Sequence, residues 1–119
     1  MIVVYGIPNC DTVKKARAWL AERQVAYRFH DLRRDGVPED RLASWVEQLG
    51  WEALVNRKGT TWRKLEPAAQ AAVSDAAGAC ALMGREASVI RRPVVDWGPR
   101  DSSVGFDPAR WQARLDGAA

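Results

Sequence analysis

The chain has 119 residues, 47% of them apolar and 28% charged, with a formal net charge of +3. That suits one packed domain over residues 1–119 and leaves no apolar run long enough for a membrane-spanning helix. The basic residues are scattered and form no polybasic tail, which argues against nucleic acid and membrane surfaces as partners. No leader-like segment opens the chain, and the two cysteines make no disulfide scaffold, so a reducing cytoplasm is the expected setting.

Ile2 to Tyr5 is an apolar run rich in β-branched residues and reads as a buried strand. Gly6-Ile7-Pro8-Asn9 is a turn. From Asp11 to about Gln24, Val13, Ala16, Trp19 and Leu20 recur at helical spacing. Val25 to Leu32 alternates as a half-buried second strand. After the turn at Arg33 to Pro38, a helix opens with Glu39 and Asp40, carries Leu42, Trp45, Val46 and Leu49 on one face, and stops at Gly50. Trp51 to Val55 is a short helical turn, and Asn56 to Thr61 a polar loop. Glu66-Pro67 starts an alanine-rich helix expected to run to Met83, with Gly84 as its stop. Ser88 to Arg92 is short and extended, and Pro93 to Asp96 continues as a strand. Asp101-Ser102-Ser103 is the expected hairpin turn and Val104-Gly105-Phe106 the last strand. Asp107-Pro108 caps a final helix with Trp111 and Leu115, and Gly117-Ala118-Ala119 reads as a frayed end.

The order is β-α-β, a helical middle, then β-β-α. It predicts an α/β fold of the thioredoxin-like type, with a small mixed four-stranded sheet and a helical insertion over about 38–84.

The strongest chemical signal is Cys10, placed where the first strand meets the first helix. A helix start presents N–H groups without intrahelical partners and the positive end of the helix dipole, and both favour thiolate, the reactive form. Asn9 and Thr12 flank it as polar neighbours; Thr12 is read either as a thiolate donor or as the helix cap. A dithiol pair would need a second cysteine at position 13, which is valine. The site is therefore monothiol and takes its resolving thiol from elsewhere: from another molecule, or from Cys80 if the fold brings it within reach. Cys80 lies among small residues and reads as a packed, inert thiol.

Arg92, before a strand-opening proline, reads either as an anion ligand beside the cysteine or as half of a surface arginine pair. Pro93 is a candidate for a preceding cis bond and for lining the thiol site. Arg57 with Lys58 lies in a polar loop, either solvated or anion-binding. His30, the only histidine, has no partner set and reads as structural. No metal-ligand cluster, phosphate loop or dinucleotide motif is present in the sequence, so no bound metal or cofactor is expected. The six tryptophans read mostly as core, with Trp62 and Trp97 the least explained.

Four blocks, taken together, resemble the arsenate reductase-like (ArsC/Spx) family. They are Tyr5-Gly6-Ile7-Pro8-Asn9-Cys10-Asp11-Thr12, Leu49-Gly50-Trp51, Leu54-Val55-Asn56-Arg57-Lys58-Gly59-Thr60 and Ile90-Arg91-Arg92-Pro93-Val94. Their order matches over nearly the whole chain. Arg57 to Leu65 and Asp75-Ala76-Ala77 resemble its YffB-type branch most. The resemblance implies a thioredoxin-like core with Cys10 as nucleophile and Arg92 and Arg57 as anion ligands. Family arsenate reductases carry a further arginine in the hairpin after the proline strand, and Arg100 does not align with it. Spx-type regulators commonly carry Cys-x-x-Cys, which Val13 interrupts.

The resulting expectation is a thiol oxidoreductase using Cys10, with glutathione as co-substrate. The anion pocket would comprise Arg57, Arg92, Thr12, Asn9 and Pro93. Small thiols or oxyanions, glutaredoxin and protein thiols are its expected partners. The alternatives are arsenate reduction coupled to glutathione or glutaredoxin, and an Spx-like, non-catalytic regulator binding RNA polymerase or another protein.

Overall fold

In the computed structural model, which describes residues 1–117, four strands form one mixed sheet in the order β2-β1-β3-β4. Strand β1 (Ile2–Gly6) leads into helix α1 (Asp11–Glu22), which returns the chain to β2 (Tyr27–Asp31). That crossover makes β1 and β2 parallel, in register from Ile2 opposite Tyr27 to Gly6 opposite Asp31. Strand β3 (Val94–Gly98) runs antiparallel to β1, with Val4 opposite Val95 and Tyr5 opposite Val94. Strand β4 (Asp101–Val104) closes the other edge as a hairpin on β3, and α7 (Pro108–Gly117) follows.

Because successive strand residues face opposite ways, the sheet builds two cores. Val4 and Val95 point to one face and join Ala16, Trp19, Leu20 and Trp111 under α1 and α7. Val3, Tyr5 and Val94 point to the other face. There they meet the insertion: α2 (Glu39–Leu49), α3 (Trp51–Leu54), α4 (Thr60–Arg63), α5 (Pro67–Ala71) and α6 (Ala76–Arg85). Trp45, Leu54, Leu82 and Met83 from this side are fully buried.

The sequence expectations hold for the β-α-β start, for α2 with its stop at Gly50 (φ 84°) and for the final helix. The expected Asn56–Thr61 loop is shorter, since α4 begins at Thr60, and two larger expectations fail. The alanine-rich stretch is two helices. Asp75 caps α6, its side chain accepting the Gly78 N–H at 2.8 Å, so helix α5 ends and a new one begins. Gly84 lies within α6 and stops nothing. The turn between the helices folds back so closely that a Cβ on Gly78 would stand 2.1 Å from the Ala72 carbonyl oxygen. Gly78→Ala should therefore lower stability by about 1–3 kcal/mol, although glycine to alanine in a helix ordinarily gains about 1 kcal/mol. A urea titration reads the sign.

The second correction is the hairpin. Asp101-Ser102-Ser103 belongs to strand β4, and the turn lies at Pro99-Arg100. A polar cluster fixes this register. Asp96, buried on β3, accepts hydrogen bonds from Trp45 Nε1 at 2.8 Å and from Ser102 Oγ at 2.7 Å on one oxygen. Its other oxygen takes Arg41 Nε at 2.9 Å. Ser102 is in turn held by Gln48 through its N–H and its hydroxyl. Burial alone would raise the Asp96 pKa, but the Arg41, Ser102 and Trp45 donors outweigh it and hold the carboxyl below its ordinary value. Next to it, burial and the Asp96 charge and hydrogen bond push the Tyr5 phenol up to about 12.

Two smaller expectations also change. Ser88 to Arg92 is a 3-10 turn at Ala87–Val89 followed by a single bridge pair. Of the frayed end, Gly117 is the last residue of α7, and Ala118 and Ala119 lie outside the described residues. No described helix is long and apolar enough to cross a membrane.

Candidate functional site

Cys10 is the N-cap of α1: its φ and ψ are −140° and 122°, and its carbonyl accepts the first helical bond from Lys14 N–H at 2.9 Å. Its side chain therefore stands where a capping oxygen would, facing the first-turn N–H groups that lack intrahelical acceptors. The thiol makes no capping hydrogen bond and is half-buried. Thr12 is an exposed residue inside the first turn, so it is not the helix cap. Asn9 is exposed in the bend before Cys10.

The height of α1 over the sheet is set by Gly6. A Cβ there would come within 2.8 Å of the buried Val13 side chain. Val13, which makes the site monothiol, is thus also the residue that seats the helix start on the end of β1.

Pro93 is buried beside this strand end, since the next residue, Val94, pairs with Tyr5. The Arg92–Pro93 peptide is cis. Arg92 is half-buried and turned onto its own chain: Nη1 donates to the Ser88 carbonyl at 2.9 Å and to the Ile90 carbonyl at 3.1 Å. Its Nε is buried with no acceptor among the described residues. An unpaired buried N–H is uncommon and expensive to leave.

Arg57 arrives from the insertion. Val55 pairs with Ile90, Asn56 N–H donates to the Val89 carbonyl at 2.8 Å, and Arg91 N–H donates to the Leu54 carbonyl at 2.7 Å. The loop that carries Arg57 is thereby stitched to the segment that carries Arg92 and Pro93. Within it, Asn56 Oδ1 accepts the Lys58 N–H at 3.1 Å. The Arg57 guanidinium lies 5.5 Å over the Trp51 ring and 5.6 Å over the Trp62 ring.

The topology therefore brings the start of α1, with Cys10, and Pro93 to the sheet end where β1 finishes and β3 begins, and ties the Arg57 loop to the segment preceding Pro93. The other polar candidates fall elsewhere. His30 Nε2 is within 2.8 Å of the Gly36 carbonyl, and its ring sits 5.0 Å from that of Tyr5. Cys80 is a free, half-buried thiol on α6, packed against the insertion core. Arg100 is exposed in the β3–β4 turn, at the end of β3 away from Pro93. Trp51 and Trp62 were not legible as site residues. The hint was Trp62 itself, a large aromatic in a polar stretch.

A family model described as the ArsC family matches residues 5–114. A Haemophilus influenzae protein described as uncharacterized is 38% identical over 113 residues, covering 95% of this chain and 97% of that one. The global transcriptional regulator Spx of Streptococcus pyogenes serotype M3 is 26% identical over 118 residues, covering 97% of this chain and 85% of that one. Among solved structures, a protein named YFFB superposes with a TM-score of 0.91 at 45% identity, over 97% of this chain and 99% of that one. An arsenate reductase (ArsC) related protein from Brucella melitensis gives a TM-score of 0.73 at 41% identity, over 96% and 93% of the two chains. With a matched thioredoxin-like architecture and a family model spanning nearly its whole length, this chain belongs to the ArsC family.

Proposed function

We propose that the protein is a glutathione-dependent thiol oxidoreductase working through Cys10. The observation that carries this reading is a lone cysteine at the N-cap of α1, at the sheet end where Val94, next to Pro93, pairs with Tyr5. In the first step the Cys10 thiolate attacks the glutathione sulfur of a mixed disulfide. The Cys10–glutathione bond forms, the original S–S bond breaks, and the substrate leaves as thiolate. In the second step a glutathione thiolate attacks the adduct, releasing oxidised glutathione and regenerating the Cys10 thiolate. Val13 leaves no neighbouring thiol to intercept the adduct. Arg57 and Arg92 are the proposed ligands for glutathione carboxylates, through paired N–H donors. Asn9, Thr12 and Pro93 form the rest of the proposed pocket. Mass spectrometry after incubation with oxidised glutathione tests the reading: one adduct on Cys10 supports it, and an adduct confined to Cys80 overturns it.

Arsenate reduction at the same thiol is the second reading, favoured by the likeness to the Brucella protein. Arsenate turnover with glutathione and glutaredoxin separates the two. A regulatory role is suggested by the likeness to Spx, and the apolar surface the insertion offers is a groove between α2 and α6 lined by Val37, Leu42, Ala43, Cys80 and Ala81. Among the described residues the large hydrophobic side chain left exposed is Met1, outside the insertion.

A further inference from the structure

We infer that Trp51 and Trp62 are positioning residues that clamp Arg57 for anion recognition. This inference rests on the anion role proposed above for Arg57. An exposed arginine on a loop ordinarily samples many rotamers, and fixing it on a ligand costs side-chain entropy. Here the freedom is already restricted at both ends. At its root, Asn56 is bonded to Val89 across the bridge. At its head, the guanidinium lies over two indole rings, both within the range of cation–π attraction.

The indoles are themselves anchored. Both pack against the core of the insertion side. The Trp62 carbonyl accepts Gln70 Nε2 at 2.9 Å, which ties α4 to α5. Cation–π attraction orients the guanidinium while leaving its N–H groups as donors, since Arg57 remains exposed. Such a head favours a carboxylate or another oxyanion that two N–H groups engage together. The two tryptophans thus add orientation to a charge that would otherwise be diffuse.

The test is affinity, measured with a probe that cannot react at the thiol. S-methylglutathione carries the glutathione carboxylates without a free thiol, and inorganic sulfate serves as a second probe. Binding is followed by NMR of the indole N–H groups in the full chain, with thermal melts reporting the folding of each variant. Trp62→Ala should weaken S-methylglutathione binding about 2–5-fold, the worth of one exposed cation–π contact. Trp62→Phe, which keeps an aromatic face, should restore most of it. In an Arg57→Ala background, Trp62→Ala should have no further effect.

An unchanged affinity in Trp62→Ala overturns the clamp, as does an equal loss with and without Arg57. Failure of the wild type to bind either probe overturns it too. Sulfate binding that weakens in Trp62→Ala, without S-methylglutathione binding or a Cys10 adduct, upholds the clamp and removes glutathione as the ligand.

Discussion

Cys10→Ser reduces the adduct formed with oxidised glutathione to background, while Cys80→Ser leaves it at the wild-type level. The reason is chemical. A serine hydroxyl stays protonated where a thiol ionises, so no attacking anion is available to break the S–S bond. The N-cap geometry makes this a clean substitution. Serine is among the preferred N-caps, and its oxygen can accept an N–H from the first turn that the Cys10 thiol leaves unbonded. The variant should therefore be inactive yet at least as stable as the wild type, with a gain of up to about 1 kcal/mol in urea. Loss of activity together with loss of stability would mean that the thiol has a packing role. An internal Cys10–Cys80 bridge in the wild type would replace the monothiol cycle by a dithiol one.

The largest effect on stability is expected at Asp96. Asp96→Ala removes the acceptor for Trp45, Arg41 and Ser102 at once. The Trp45 N–H is then stranded in the core, and α2 loses the Trp45 and Arg41 bonds to β3, while Gln48 still holds Ser102 on β4. Breaking a buried charged cluster from one side costs about 3–5 kcal/mol, a large part of the stability of a domain this size. Asp96→Asn keeps an acceptor for Trp45 and Ser102 but loses the charge facing Arg41, so about 1.5–3 kcal/mol is expected. The pH dependence distinguishes the carboxylate from its shape. The Asp96 pKa is depressed in the fold, so its stabilisation is complete above the ordinary aspartate value. It is lost as pH falls through the lower folded value. Urea titrations from neutral pH downward should show this acid loss in the wild type and a weaker one in Asp96→Asn.

Much of this architecture was written locally. The alternation around Tyr27, the helical period of α1 and the stop at Gly50 each need only nearby residues. The break at Asp75 was visible too, as an acidic cap three residues before Gly78, but the alanine run on both sides masks it because alanine favours helix everywhere. The β3–β4 register was not visible. It depends on Ser102 meeting an aspartate on the neighbouring strand and a glutamine on α2, and no local pattern encodes such a meeting. The site divides the same way. Cys10 announces itself by its position between strand and helix. The turning of Arg92 onto the Ser88 and Ile90 carbonyls, and the placing of Arg57 over two indoles, involve residues close in sequence, but they depend on the path of irregular segments that no periodic pattern encodes.

The pairing of Val55 with Ile90 has a dynamic consequence. An insertion between two strands can behave as an appendage that unfolds on its own while the sheet persists. Here the middle of the insertion is bridged to the segment just before β3, through the amides of Asn56 and Arg91. Those two amides should exchange with solvent deuterons on the timescale of the sheet, not of a surface loop. The root of the Arg57 loop then opens only when this bridge to the segment before β3 opens.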